Sequence, residues 1–202
     1  MMDGETRDQS IVMFALQDCV EVCQRLASES VPTVLELADL VLKVFRQGGK
    51  VYLLGNGGSA AQAQHVATEF VVRFKNERPG LPAIALNADT SVITAAANDY
   101  DFSQVFSRQV EALVTPDDLL VAFSTSGSSP NVLEAVQAGR EKGATTVGCT
   151  GNTDGQLCGL VDVVFRVPSG DVQRIQEAHL LIWHLICELV DNAIVEDKAD
   201  VK

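Results

Sequence analysis

Val51-Tyr52-Leu53-Leu54-Gly55-Asn56-Gly57-Gly58-Ser59, followed by a helical pattern carrying His65, Glu69 and Arg73, is the stretch that decides the fold. An apolar run, a glycine-rich turn and a helix-spaced pattern read as strand, tight loop and helix. Gly55, Gly57 and Gly58 open turn conformations closed to other residues and let a ligand approach the main chain. Ser59 and the following Ala60-Ala61 suit a helix N-terminus, whose free N–H groups and positive dipole end favour an anion. His65, Glu69 and Arg73 recur at i, i+4 and i+8, so they project from one stripe, about 6 Å apart per step. Such turns also occur without a ligand, and such stripes also face solvent.

A second loop adds weight. Leu119-Leu120-Val121-Ala122-Phe123, apolar throughout as a strand covered on both faces should be, runs into Ser124-Thr125-Ser126-Gly127-Ser128-Ser129-Pro130. Five hydroxyls in six residues then precede a helix with Pro130 at its start. In open α/β sheets ligands collect beyond the carboxyl ends of strands, and hydroxyls with N–H groups there make a nest for phosphate. A serine-rich capping turn is the plainer alternative. No lysine follows the glycine, so this is not the loop of a nucleotide hydrolase.

Outward from these loops, further strands are expected at 82–86, 145–149 and 162–167. Helices are expected at 90–98, 102–113, 131–142 and 173–195, with a short segment at 157–159. Strands alternating with helices predict an α/β fold with an open five-stranded parallel sheet. Two helices precede the first strand, one over 10–26 and one from near Pro32 to Gly48-Gly49, with residues 1–9 loose. This pair must bury its apolar faces on the sheet or on another subunit, and the second is preferred. The expected organisation is a helical extension over 1–48, one domain over 49–196 and a charged tail over 197–202.

The chain has 202 residues, 47% of them hydrophobic, which suits one domain. A net charge of −12 carries no electrostatic footprint for nucleic acid or an anionic membrane, so neither is an expected partner. Five scattered cysteines, at 19, 23, 149, 158 and 187, suit reduced thiols in a cytoplasmic protein. The polar N-terminus has no signal-peptide order, and no uncharged apolar run approaches a membrane span.

Gly55-Asn56-Gly57-Gly58-Ser59, Asn98-Asp99, Ser124-Thr125-Ser126-Gly127 and Arg174-Ile175-Gln176-Glu177 together resemble the sugar isomerase (SIS) domain family over nearly the whole chain. Within that family the chain is similar to the members that interconvert sedoheptulose 7-phosphate and D-glycero-D-manno-heptose 7-phosphate, precursors of lipopolysaccharide core and surface heptose. The resemblance implies a flavodoxin-like SIS fold, a homotetramer with sites at subunit interfaces and a phosphorylated heptose as substrate. It places phosphate binding on Ser124, Thr125, Ser126 and Ser129, with Ser59 nearby, and sugar contacts on Asn56, Gly57, Gly58, Asn98 and Asp99. It implies catalysis by Glu69 and His184 and, where members bind zinc, ligation by His65, Glu69, Gln176 and His184. Gln173 departs from the family pattern, standing where some members have an acidic residue.

The chemistry itself needs a base for a carbon-bound proton and an acid for the carbonyl oxygen, passing through an enediolate. Glu69 suits the first role, and His184 could move the proton between oxygens. Arg73 or Arg174 are candidate cations for the phosphate, and the resemblance implies Gln176 and Arg73 as further substrate contacts. His184 also reads as a core histidine, and His179 as a second site residue or a surface one. A SIS scaffold that binds the bacterial replication initiator, or a sugar-phosphate sensor, is the competing function.

Overall fold

In the computed structural model, which describes residues 4–199, the apolar runs pair as β1 (Val51–Gly55), β2 (Ala83–Ala85), β3 (Leu119–Phe123), β4 (Thr145–Thr150) and β5 (Val163–Arg166). All pairings are parallel, in the order β2-β1-β3-β4-β5. Successive side chains on a strand point to opposite faces. Val51 and Leu53 therefore enter one core while Tyr52 and Leu54 enter the other, and Val121 and Leu120 divide in the same way. The first core is closed by α2 (Val31–Arg46), α3 (Gly58–Val71) and α7 (Val172–Ala199). The second is closed by α4 (Thr90–Asp99), α5 (Ser107–Leu113) and α6 (Pro130–Glu141). Burial on both faces is why these strands are continuous in apolarity rather than alternating.

The chain leaves β1 outward to β2 and returns to β3 on the other side of β1. That reversal makes a topological switch point between β1 and β3, where loops diverge and leave a crevice. Gly55 pairs with Phe123, so the glycine-rich and serine-rich loops start side by side.

The two N-terminal helices differ in how much of their apolar surface this chain buries. On α2, Val34, Leu37, Ala38, Val41, Leu42 and Val44 are buried in this chain's own first core. On α1 (Gly4–Glu29), Val22 and Leu26 join that core, whereas Ile11, Val12, Met13, Phe14, Leu16 and Val20 are 55–71% exposed.

Three boundaries differ from expectation. The first helix begins at Gly4 rather than near Ser10, since neither glycine nor proline follows until Val31-Pro32; residues 1–3 lie outside the described residues. The helix expected over 102–113 is broken into a 3-10 turn at 102–104 and α5, because Val105 and Phe106 turn into the core between them. The Asp101 carboxylate holds that turn by accepting the Ser103 N–H at 2.8 Å. The last helix runs on through Ala199, where the Arg46 guanidinium grips Asp197 through two bonds of 2.7 and 2.9 Å. Only 200–202 of the expected charged tail lie outside the described residues.

α7 is long and apolar enough over 172–197 to cross a bilayer by length and composition, with a mean hydropathy of 1.4. Here its stripe of Ile175, Ala178, Ile182, Trp183, Ile186 and Val190 covers the sheet.

Leu37 is fully buried under α2. Leu37→Ala is expected to lower the unfolding free energy by about 2–5 kcal/mol in urea titration of dilute protein. A loss below ~0.5 kcal/mol would mean that α2 contributes little by packing on its own sheet.

Candidate active site

Gly57 takes φ +55°, which an L side chain rarely adopts, and the chain turns there from β1 straight into α3. A Cβ on Gly58 would come within 2.6 Å of the Gln176 amide, so that amide lies against the start of α3. Gln62 donates to the Gln176 carbonyl, tying α3 to α7 at the same place. Asn56 and Asn131 exchange side-chain amide bonds, each 2.8 Å, across the crevice. Asn131 was not anticipated as part of the site. It follows the serine-rich loop, but nothing in the sequence reveals its partner.

On the other side of the crevice, Ser124 is buried, Thr125 and Ser129 half-buried, and Ser126 exposed. Ser129 is the residue before α6 and its hydroxyl caps no helix N–H, lying instead 3.4 Å from the Ser124 hydroxyl. The plainer reading of the loop as a capping turn therefore lacks its cap. The segment after β4 buttresses the loop: Gly151 N–H donates to the Thr125 carbonyl and the Thr153 hydroxyl to the Ser126 carbonyl.

His65 and Glu69 come from one face of α3 and His184 from α7. Nε2 of His65 lies 2.8 Å from Nε2 of His184 and 3.2 Å from Oε1 of Glu69. Phe74 stacks on the His184 ring at 5.6 Å. Burial holds His184 below the ordinary imidazole range, helped by neighbouring His65 and opposed by Glu69. Among the described residues, these three form one group of His, Cys, Asp or Glu side chains whose ligand atoms all lie within 4.8 Å of one another. Two imidazoles and a carboxylate are the donor set of zinc sites that keep a position open. The donors therefore fit zinc.

Other candidates lie elsewhere. Arg73 follows the end of α3, exposed, so the expected third member of the stripe is lost with the helix. Arg174 donates to the Ala15 carbonyl of α1 at 2.5 Å and to Glu177 at 2.6 Å, which engages the guanidinium away from the serine-rich loop. Asn98 and Asp99 are exposed at the end of α4 and bond to each other at 2.8 Å. Gln173 is exposed in the first turn of α7. The two histidines on α7 reverse their simplest readings: His184 faces the site, while His179 is fully buried against Phe123 and Phe165, with the Thr150 carbonyl 3.3 Å from Nε2. Burial pushes the Cys149 thiol up to about 12 and raises Cys187 as well, so neither is a thiolate nucleophile near neutral pH.

Residues 16–151 match the SIS domain family. The chain is 46% identical over 186 residues to the phosphoheptose isomerase of Trichlorobacter lovleyi, covering 92% of this chain and 95% of that one. The solved phosphoheptose isomerase of Neisseria gonorrhoeae superposes with a TM-score of 0.85 at 38% identity, over 91% of this chain and 98% of that one. That of Francisella tularensis gives 0.89 at 36% identity, over 92% and 98%.

Burial pushes the His179 imidazole down to about 4, with a partial offset from the Thr150 carbonyl. Its folded value lies below the unfolded one, so the unfolded chain takes the proton first as pH falls. Stability is complete above about pH 6.5 and is lost toward pH 4, by at most about 1.4 kcal/mol per pH unit from this group. Urea midpoints between these limits are expected to fall less steeply in His179→Gln than in the parent; equal slopes would place the proton uptake elsewhere.

Proposed function

The chain belongs to the SIS domain family, alongside the phosphoheptose isomerases, and from that premise we propose that it interconverts sedoheptulose 7-phosphate and D-glycero-D-manno-heptose 7-phosphate. The observation that carries this reading is the convergence of Glu69, His65 and His184 from α3 and α7, beside two loops at one edge of the sheet. A scaffold would need no such group.

In the ketose-to-aldose direction, Glu69 takes a proton from C1 and the electrons move to the C2 carbonyl, giving an enediolate. His184 carries the O1 proton to O2, and Glu69 returns its proton to C2. A neutral imidazole suits such a relay, which the lowered His184 value supports. Ser124, Thr125, Ser126 and Ser129 hold the phosphate through hydroxyl and main-chain N–H groups, with Ser59 at the facing helix start. Asn56, Gly57, Gly58 and Gln176 line the sugar path between them. Binding energy at the remote phosphate thereby orients the reacting end.

His65, Glu69 and His184 would hold zinc, whereas the Gln176 amide lies against Gly58 at the other end of α3. When bound, zinc supplies a Lewis acid that polarises the substrate oxygens. A metal-bound carboxylate is a weaker base, so Glu69 serves either the ion or the carbon-bound proton at one time.

The same reading includes a homotetramer in the cytoplasm, supplying heptose for lipopolysaccharide core and surface glycans. The exposed apolar residues of α1, Ile11 to Phe14 with Leu16 and Val20, support assembly, since a concentration of exposed apolar side chains marks contact sites. The five free cysteines support a reducing compartment.

Purified protein incubated with sedoheptulose 7-phosphate and followed by NMR is expected to yield the aldose. Glu69→Gln is expected to lower turnover at least ~100-fold while the sugar phosphate still binds; unaltered turnover would end this assignment. Chelator is expected to reduce the rate and added zinc to restore it, whereas full activity in chelator would remove the metal from the mechanism. Ser124→Ala combined with Ser126→Ala should weaken sugar-phosphate affinity without unfolding the protein, and unchanged affinity would refute the anchoring role.

A further inference from the structure

Arg78 ends the polar stretch Lys75-Asn76-Glu77-Arg78, and it is buried, its side chain 1% exposed, against an Asp191 side chain that is 0% exposed. A buried ion pair is weak support for stability, because desolvating both charges offsets their attraction. What the pair does hold is specific. Arg78 Nε donates to Asp191 at 2.6 Å, Nη2 to the Glu69 carbonyl at 2.8 Å, and Nη1 to the carbonyls of Phe70 and Pro79 at 2.8 and 2.9 Å. Two of these acceptors lie in the last turn of α3, where carbonyls lack helical partners. One of them belongs to Glu69 itself.

Asp191 stands seven residues after His184 on α7, close to two turns on and so on the same face. Its second oxygen accepts the N–H groups of Asn76 at 2.7 Å and Lys75 at 3.2 Å. Those bonds fix the segment whose Phe74 ring lies on His184. The same segment is fastened to α7 by Lys75 to Glu188 at 2.7 Å and Asn76 to Asn192 at 2.8 Å. One guanidinium and one carboxylate thus connect the helix end bearing Glu69, the helix bearing His184 and the ring that covers it. Neither contacts the glycine-rich or the serine-rich loop.

We propose that Arg78, locked to Asp191, is a positioning residue that sets the Glu69 carboxylate against the His184 imidazole, an inference that rests on the isomerase reading above. Its removal acts on proton transfer and leaves the phosphate anchor intact. Misplacing reacting groups by about 1 Å can cost on the order of 100-fold in rate.

Arg78→Lys keeps the charge and loses the planar fork. The variant is compared with the parent and with Leu37→Ala, a core substitution away from the site, for kcat, KM and melting temperature. Long-range nitrogen–proton spectra of the three imidazoles give a readout independent of turnover. The expected result is a kcat at least ~10-fold lower with KM within ~2-fold, and ring signals of His65 and His184 moved while His179 is unchanged. Leu37→Ala, melting at least as low, should keep its kcat at a temperature where all three proteins are folded. Unchanged kcat and unchanged rings in Arg78→Lys, or an equal kcat loss in Leu37→Ala, would overturn the proposal. If Arg78→Lys fails to fold, Asp191→Asn is measured against the same criteria. Should the parent not turn over the heptose phosphate, the isomerase reading fails and the rings decide: movement confined to His65 and His184 upholds the positioning role, and none overturns it.

Discussion

The side-by-side parallel pairing of β1 with β3 is the constraint on which the rest depends. Parallel strands end at the same edge, so the residues after Gly55 and Phe123 must emerge together. Had the two strands been antiparallel, the glycine-rich and serine-rich loops would lie at opposite ends of the sheet. The pairing is in turn held by burial on both faces, with Leu53 and Val121 in one core and Leu54 and Ala122 in the other. The Asn56–Asn131 amide exchange then closes the crevice above the strands.

The site divides its work along α3. Its N-terminal end, with Gly57, Gly58 and the Gln176 amide, meets the loops where backbone N–H groups and hydroxyls collect. Its C-terminal half presents His65 and Glu69 to His184. A net charge of −12 sets a repulsive background for a phosphorylated sugar. Local dipoles therefore have to outweigh the chain's overall field, and they do so only at short range.

Most of the strand and helix order was legible because the apolar runs and glycine stops are local signals. The boundaries that moved were decided by contacts distant in sequence. Asp197 stays helical because Arg46 reaches it from α2, and the expected helix over 102–113 breaks where Val105 and Phe106 find the core. In the site, His65 and Glu69 were legible by their spacing, one turn apart. His184 was singled out by the resemblance alone; spacing does not separate it from His179, since five residues on a helix place them on different faces and only the sheet's position says which face is buried. Asn131, Phe74, Arg78 and Asp191 were missed for the same reason: each acts through a partner more than 70 residues away.

Trp183, the chain's one tryptophan, lies fully buried beside the catalytic candidate His184, edge-on to Phe123 with its N–H directed at the Cys149 sulfur 3.4 Å away. Phe123 is the residue from which the serine-rich loop departs. A thiol in contact with an indole is an efficient quencher, and the surrounding apolar shell shortens its emission wavelength. The molecule thus carries an intrinsic fluorophore at the seam between sheet and α7, whose emission is expected to be quenched and blue-shifted while that seam is closed. Loss of the seam would brighten the emission and shift it to the red.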